Sequence, residues 1–359
     1  MAQTNSPEGL PTPDAARRNQ LLQGVLKGVS RSFFLTLRIL PKDLREPVGL
    51  AYLLARIADT ISDRFAEFAG SRMERLVILR SQVAGPAESR VLLELAAQSM
   101  EGVSSPQERA LFDSLVDSFA LLESLDEADR EQVWWVVDIL IQGMEMDLVS
   151  FPAEDSEGLA ALPAGADLDR YAYLVAGCVG EFWTNLTSAH ESGLKGWDVD
   201  AMSATGVRFG KALQLTNVLR DIPRDLRNGR CYLPADELKA AGLVPEDLLD
   251  PANEARARAV LIPWMQIGLR HFQAAEEYVT AIPRRSVRLR LACLWPLLLG
   301  LETLARLARG GKWLNPDSTT KVSRWWVYRM MFLSLPAICS NTQLRRWIRG
   351  LRRQVQRSI

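Results

Sequence analysis

Histidine and cysteine are scarce in this chain. Only His190 and His271 occur among 359 residues, too few for a multi-histidine metal centre and little material for a Ser-His-Asp type of nucleophilic site. The four cysteines, Cys178, Cys231, Cys293 and Cys339, stand far apart without CxxC or Cys/His spacing. That pattern excludes a zinc site and reads as buried free thiols. Phosphate loops are missing too: no GxGxxG occurs, and Gly206-Val-Arg-Phe-Gly-Lys211 is one residue short of P-loop spacing and lacks the following Ser or Thr. Nucleotide hydrolysis and a Rossmann domain are therefore disfavoured. Long apolar runs are absent from the last hundred residues, where Leu291 to Leu301 is too short to cross a bilayer, which takes about 20 residues. The first residues, Met1 to Glu8, hold neither a basic nor an apolar leader segment, so the expected location is cytoplasmic.

Acid is missing from one region only. Lys321 to Ile359 carries nine basic side chains and no acidic one, which leaves 34 basic against 43 acidic in residues 1–320 and a formal net charge of zero for the whole. An acidic body with a basic tail attracts anionic surfaces or ligands to that tail. In the tail, Leu344, Trp347, Ile348, Leu351 and Val355 share one helical face while arginines fill the other. The pattern is that of a basic amphipathic helix in peripheral contact with a membrane, on the inner face of the cytoplasmic membrane, or of a terminal helix packed on its own domain. The preceding stretch, Trp325 to Cys339, is apolar but contains Arg329 and Pro336 and reads as a buried or interfacial helix.

What the chain has in quantity is apolar residues at helical spacing, as in Leu50, Leu53, Leu54 and Ile57. With 48% hydrophobic and 24% charged residues, it is an all-α globular protein. Breaks fall near Pro41 to Pro47, Pro86, Ser104 to Pro106, Pro152 to Asp169, Pro234, Pro251 and Gly310 to Asp317.

Two acidic pairs interrupt this apolar background. Asp59 and Asp63 are four apart, on a helical face shared with Tyr52 and Arg56; Asp221 and Asp225 repeat the spacing, with Gln214 and Asn217 upstream. Like charges at this spacing weaken a helix, so each pair is best explained by a cation that holds it. Short acidic side chains suit Mg²⁺, which binds through a few carboxylates and keeps its other positions for water and phosphate oxygens. Two such helices facing each other would clamp diphosphates.

Taken together, Ser30-Arg-Ser-Phe33, Tyr52 to Asp63, Gly143-Met-Glu-Met-Asp147, Tyr171-Ala-Tyr-Leu-Val-Ala-Gly-Cys-Val-Gly180 and Gln214 to Asp225 with Gly229-Arg-Cys-Tyr-Leu-Pro234 resemble the squalene/phytoene synthase family, the head-to-head prenyl transferases. The resemblance implies a single-domain, all-α isoprenoid synthase fold around a central apolar cavity. It implies that Asp59, Asp63, Asp221 and Asp225 hold Mg²⁺ against two prenyl diphosphates. Ser30, Arg31, Ser32, Arg56, Gln214, Asn217, Arg220 and Arg230 would bind or support the diphosphates, Phe33 and Tyr52 would line the pocket, and Tyr171 would handle a proton.

The wording of Tyr52 to Asp63, and Lys321-Val-Ser-Arg324, look most like the squalene synthase branch, in which Asn217, Lys321 and Arg324 would bind NADPH. The implied reaction joins two farnesyl diphosphates into presqualene diphosphate and reduces it to squalene. Phytoene or dehydrosqualene synthesis without reduction is the alternative, and a non-catalytic membrane-associated subunit a second. The expected organisation is a disordered lead-in over 1–13, a catalytic domain over 14–335 and the basic tail over 336–359, in a monomer or weak oligomer without nucleic-acid partners.

Overall fold

The computed structural model describes residues 10–30, 33–64, 67–152, 159–316 and 320–359, with the side chains of 33–35 left out. The three-to-four-residue recurrence of apolar side chains appears as helix almost throughout. Contacts divide the chain into two compact units, Met1–Leu148 and Val149–Ile359.

The first unit holds α1 (Ala15–Asn19) and α2 (Leu26–Ser30), joined by a wider π-helical stretch at Gln20–Val25, then α3 (Phe33–Ile39), α4 (Lys42–Ser62), α5 (Ala69–Ala84), α6 (Ser89–Met100), α7 (Pro106–Asp113) and α8 (Leu115–Ser124). Helix α9 (Glu127–Ser150) runs to the division and just past it. At the centre lies α4, in contact with α2, α3, α5, α7 and α8. Its Leu50, Leu53, Leu54, Ile57 and Ile61 are fully buried. Pro41, where a break was expected, is the N-cap of α4, and the helix continues through Pro47.

The second unit holds α10 (Gly165–Ala172), a π-helical stretch at Tyr173–Gly177, α11 (Cys178–His190), α12 (Val199–Arg227), α13 (Ala235–Ala240), α14 (Glu254–Ala281), α15 (Val287–Gly310), α16 (Arg324–Ala337) and α17 (Asn341–Gln356). Its axis is α12, which packs on α10, α11, α14 and α15. A two-residue parallel pairing joins β1 (Ala160–Ala161) to β2 (Arg230–Cys231).

The apparent near-miss of a P-loop has a packing purpose. A Cβ on Gly180 would stand 2.0 Å from the Gly206 carbonyl oxygen, and one on Gly210 would stand 2.1 Å from the Ala176 oxygen. The backbones of α11 and of the π-helical stretch before it thus touch α12 where side chains would keep them apart.

Helix α15 is long and apolar enough to cross a membrane, yet 78% of its most apolar window is buried inside the protein. The expected tail starts inside α16, because that helix continues through Pro336 to Ala337. Pro336 sits in the last turn, where its missing N–H removes one hydrogen bond of the helix. Helix α17 packs on α14 and α15, with Leu344, Ile348, Leu351 and Val355 buried. Arg349 Nε reaches the buried Glu276 at 2.9 Å and Arg352 Nη1 reaches it at 3.5 Å. Of the two readings of the amphipathic tail, a membrane surface or its own domain, the structure has the second: its apolar face is covered by the protein's own helices.

Candidate active site

Each unit carries one acidic stripe. On α4 the residues Tyr52, Arg56 and Asp59, and at its C-cap Asp63, remain solvent-accessible, while Leu53, Leu54, Ile57, Ala58 and Ile61 around them are buried. Arg56 Nη1 donates to Asp59 Oδ2, which relieves part of the repulsion between the two carboxylates. Arg56 Nε is buried and meets no acceptor among the described residues, and Ser30 Oγ is in the same condition. A buried donor without an acceptor costs about 1–3 kcal/mol, and a phosphate oxygen would remove that cost. Arg31 and Ser32 lie outside the described residues, as does the side chain of Phe33.

On α12 the accessible stripe is Gln214, Asn217, Arg220, Asp221 and Asp225, set against buried Leu215, Val218, Leu219 and Ile222. Arg220 grips Asp221 with both arms, Nε to Oδ1 at 2.7 Å and Nη2 to Oδ2 at 2.5 Å. That grip, aided by the charge of Asp225, lifts the Arg220 guanidinium above its ordinary value against the opposing effect of burial.

The chain then turns at Gly229, whose φ of 78° lies in the left-handed region that favours glycine. The turn delivers Arg230 into β2, and Asp225, Arg230 and Tyr232 line one small pocket together with Val218, Ile222 and Leu226. On the other side of the β pairing, Leu162 leads into α10 through a hydrogen bond from its N–H to the Cys231 carbonyl at 3.1 Å. This clasp brings Tyr171 and Tyr232 together: the rings stack with centroids 4.7 Å apart, and Tyr171 Oη donates to Tyr232 Oη at 3.2 Å. Phe151 closes edge-on against Tyr232 at 5.1 Å.

The structure does not join the residues expected to bind a reductant. Asn217 lies exposed on α12, while Lys321 and Arg324 are exposed at the approach to α16 and its first residue. No hydrogen bond or ion pair links Asn217 to either cation among the described residues; the Lys321 carbonyl instead accepts from Arg306 Nη1 at 3.1 Å.

Nor do three His, Cys, Asp or Glu side chains gather into a metal site among the described residues. Two carboxylates per stripe still fit Mg²⁺, which is usually held by one or two carboxylates plus substrate phosphates and water. The thiols of Cys178, Cys231 and Cys293 are free and buried, and burial pushes each up to about 12, so none is a nucleophile at neutral pH.

The sequence model described as squalene/phytoene synthase matches residues 26–326. This chain belongs to that family. A presqualene diphosphate synthase of Rhodopseudomonas palustris is 31% identical over 279 residues, covering 77% of this chain and 82% of the relative. A bifunctional lycopene cyclase/phytoene synthase of Colletotrichum graminicola is 29% identical over 290 residues, covering 78% of this chain but only 44% of that longer protein. Among solved structures, a complex of TcSQS with the ligand BPH1237 superposes with a TM-score of 0.74 at 20% identity, over 96% of this chain and 98% of the other. The fold is that of the all-α isoprenoid synthases of the squalene synthase type. As a squalene/phytoene synthase the chain is a prenyl transferase that condenses prenyl diphosphates head to head.

Two residues of this family member escape a reading of its sequence. Tyr232 lies in the Gly229–Pro234 motif, but its contact with Tyr171, 61 positions away, exists only in the fold. Arg72 is almost wholly buried and donates from Nη1 to the Ser62 carbonyl at 2.9 Å, a cation at the C-terminal end of α4 beside Asp63. In sequence it looks like any charged residue of a helix, and no signal marks it.

Proposed function

We propose that the chain condenses two farnesyl diphosphates into presqualene diphosphate and then, with hydride from NADPH, rearranges that product to squalene. The observation that carries the condensation is the occurrence, on each of two otherwise buried helix faces, of a carboxylate pair already gripped by an arginine: Asp59 by Arg56 and Asp221 by Arg220. Asp59 and Asp63 would hold Mg²⁺ for one donor's diphosphate, and Asp221 and Asp225 for the other's. The metal supplies positive charge that stabilises a departing diphosphate.

The protein's own groups do the rest. Arg56, Arg220, Arg230 and Ser30 bind phosphate oxygens as the allylic C–O bond breaks and its electron pair leaves with the diphosphate. Arg31, Ser32, Gln214 and Asn217 keep the supporting roles that the resemblance implies, with Phe33 and Tyr52 against the prenyl chain. The double bond of the second donor supplies electrons for the new C–C bond, and closure of the cyclopropane releases a proton. Tyr171 Oη, which donates to Tyr232 Oη, takes that proton on its free lone pair as its own passes to Tyr232 and the Tyr232 hydrogen passes on, so that both hydroxyls end neutral. The released diphosphate is the final acceptor. The buried aromatic surround, Tyr171, Tyr232 and Phe151, excludes water that would quench the cation.

Support for the reductive step is narrower. It rests on the exposure and charge of Lys321 and Arg324, which suit the phosphates of NADPH, whose chemistry is hydride donation. The name of the fungal relative favours a second reading, phytoene formation from two geranylgeranyl diphosphates without reduction.

The carboxylates are tested by diphosphate release from farnesyl diphosphate and Mg²⁺. Asp59→Asn and Asp221→Asn should each lower the rate by about a hundredfold or more with the helical circular dichroism unchanged. Release at the parental rate in both variants would contradict the assignment.

A further inference from the structure

Helix α16 presents a run of large exposed apolar side chains. Trp325 is 68% exposed, Tyr328 66%, Phe332 73% and Leu335 55%. Their spacing of three, four and three places all four along one face, and the opposite face is held down: Met330, Ser334 and Ala337 are buried, with Ser334 Oγ accepting from Trp295 Nε1 at 2.9 Å. The helix is therefore fixed to the unit with its aromatic face outward. Isolated exposed side chains are ordinary, but a contiguous aromatic stripe on an anchored helix marks an interaction surface.

Two occupants fit such a stripe by shape, a bilayer or the same stripe of a second copy, since a three–four repeat is also a coiled-coil seam. Charge decides between them. Arg324 and Arg329 flank the stripe, Lys321 precedes it, and the whole stretch 321–359 contains no acid. Arg329 lies over the Trp325 ring, 5.5 Å from its centroid, so positive charge is built into the apolar face itself. Two copies pairing through this face would oppose cation to cation, with no carboxylate in the stretch to compensate. An anionic lipid surface supplies the opposite charge, and Trp and Tyr are the side chains that settle at the boundary between headgroups and acyl chains.

We infer that α16 is a membrane-docking helix: Trp325, Tyr328, Phe332 and Leu335 enter the headgroup boundary of an anionic bilayer while Arg329, held over the Trp325 ring, meets its phosphates. The 14 residues of α16 reach about 21 Å at 1.5 Å per residue, short of the roughly 30 Å apolar core. The helix therefore lies in the plane of the surface and does not cross it. Helix α17, whose apolar face is already covered by α14 and α15, braces the platform from within the protein.

The test uses the full chain and sedimentation with vesicles of phosphatidylcholine alone or mixed with phosphatidylglycerol. The parent should bind the mixed vesicles and bind the neutral ones far more weakly. Trp325→Ser combined with Phe332→Ser should weaken binding to the mixed vesicles by about tenfold or more. The melting temperature and the turnover in detergent should stay at the parental values, because both side chains are exposed. A second variant, Arg346→Gln with Arg353→Gln on the outer face of α17, should retain most of the binding. Parental binding by the α16 variant would overturn the inference, as would loss of binding confined to the α17 variant. So would a parent that ignores vesicles but forms a dimer, by analytical ultracentrifugation, that the α16 variant dissolves.

Discussion

The hydroxyl of Tyr232 has one neighbour whose chemistry depends on it. Tyr232→Phe keeps the stack on Tyr171 and the contact with Phe151 but removes the atom that accepts the Tyr171 hydrogen. Turnover should fall by about a hundredfold, the usual scale of a lost proton-transfer partner, while KM and the melting temperature stay near the parental values. Parental turnover would reduce Tyr232 to packing. His271 makes a different prediction. Burial, with the nearby cations Arg208, Lys211 and Arg270 outweighing Asp169, lowers its imidazole to about 4 from 6.5. Between those two values the unfolded chain binds a proton that the fold refuses, so stability is complete above pH 6.5 and declines as the pH falls towards 4. Urea midpoints measured at pH 7.5 and 5 should differ less in His271→Gln than in the parent, and an identical difference would contradict this source of acid sensitivity. Asp59, Asp63, Asp221 and Asp225 were legible in the sequence because a repeated four-residue spacing on an apolar background is a local pattern. Tyr232 and Arg72 were not, because each acts through a partner that only the folded backbone brings near.

At the scale of elements, the crossing of α11 and α12 is set by glycine. Because a Cβ at position 180 would meet the Gly206 carbonyl carbon at 2.3 Å as well as its oxygen, Gly180→Ala should force the helices apart and cost about 1–3 kcal/mol or more. Chemical denaturation measures it directly, and a variant as stable as the parent would show that the crossing yields at no cost. The separation matters to the site, since α12 carries Asp221 and Asp225 while α10 and the π-helical stretch that leads into α11 carry Tyr171 and its surroundings. The all-α character followed from apolar periodicity alone. Three features of these elements did not. The π-helical stretch at Tyr173–Gly177 and the two-residue β pairing are too short to leave a periodic signal. The partner of the amphipathic α17 was open because periodicity shows that a face is apolar and not what covers it.

For the molecule as a whole, zero net charge conceals a division of labour. Some of the basic tail is consumed internally, where Arg349 and Arg352 neutralise the buried Glu276, and the rest leaves the end of the chain positive. Family membership was legible because five motifs occur in order; the product was not, because chain-length preference depends on which side chains meet the prenyl tails. The most direct test of the central claim is mass spectrometry of the products formed from farnesyl diphosphate and Mg²⁺, with and without NADPH, beside a parallel incubation with geranylgeranyl diphosphate. Presqualene diphosphate without NADPH and squalene with it is the predicted result. Dehydrosqualene regardless of NADPH, or no product until geranylgeranyl diphosphate yields phytoene, would contradict it.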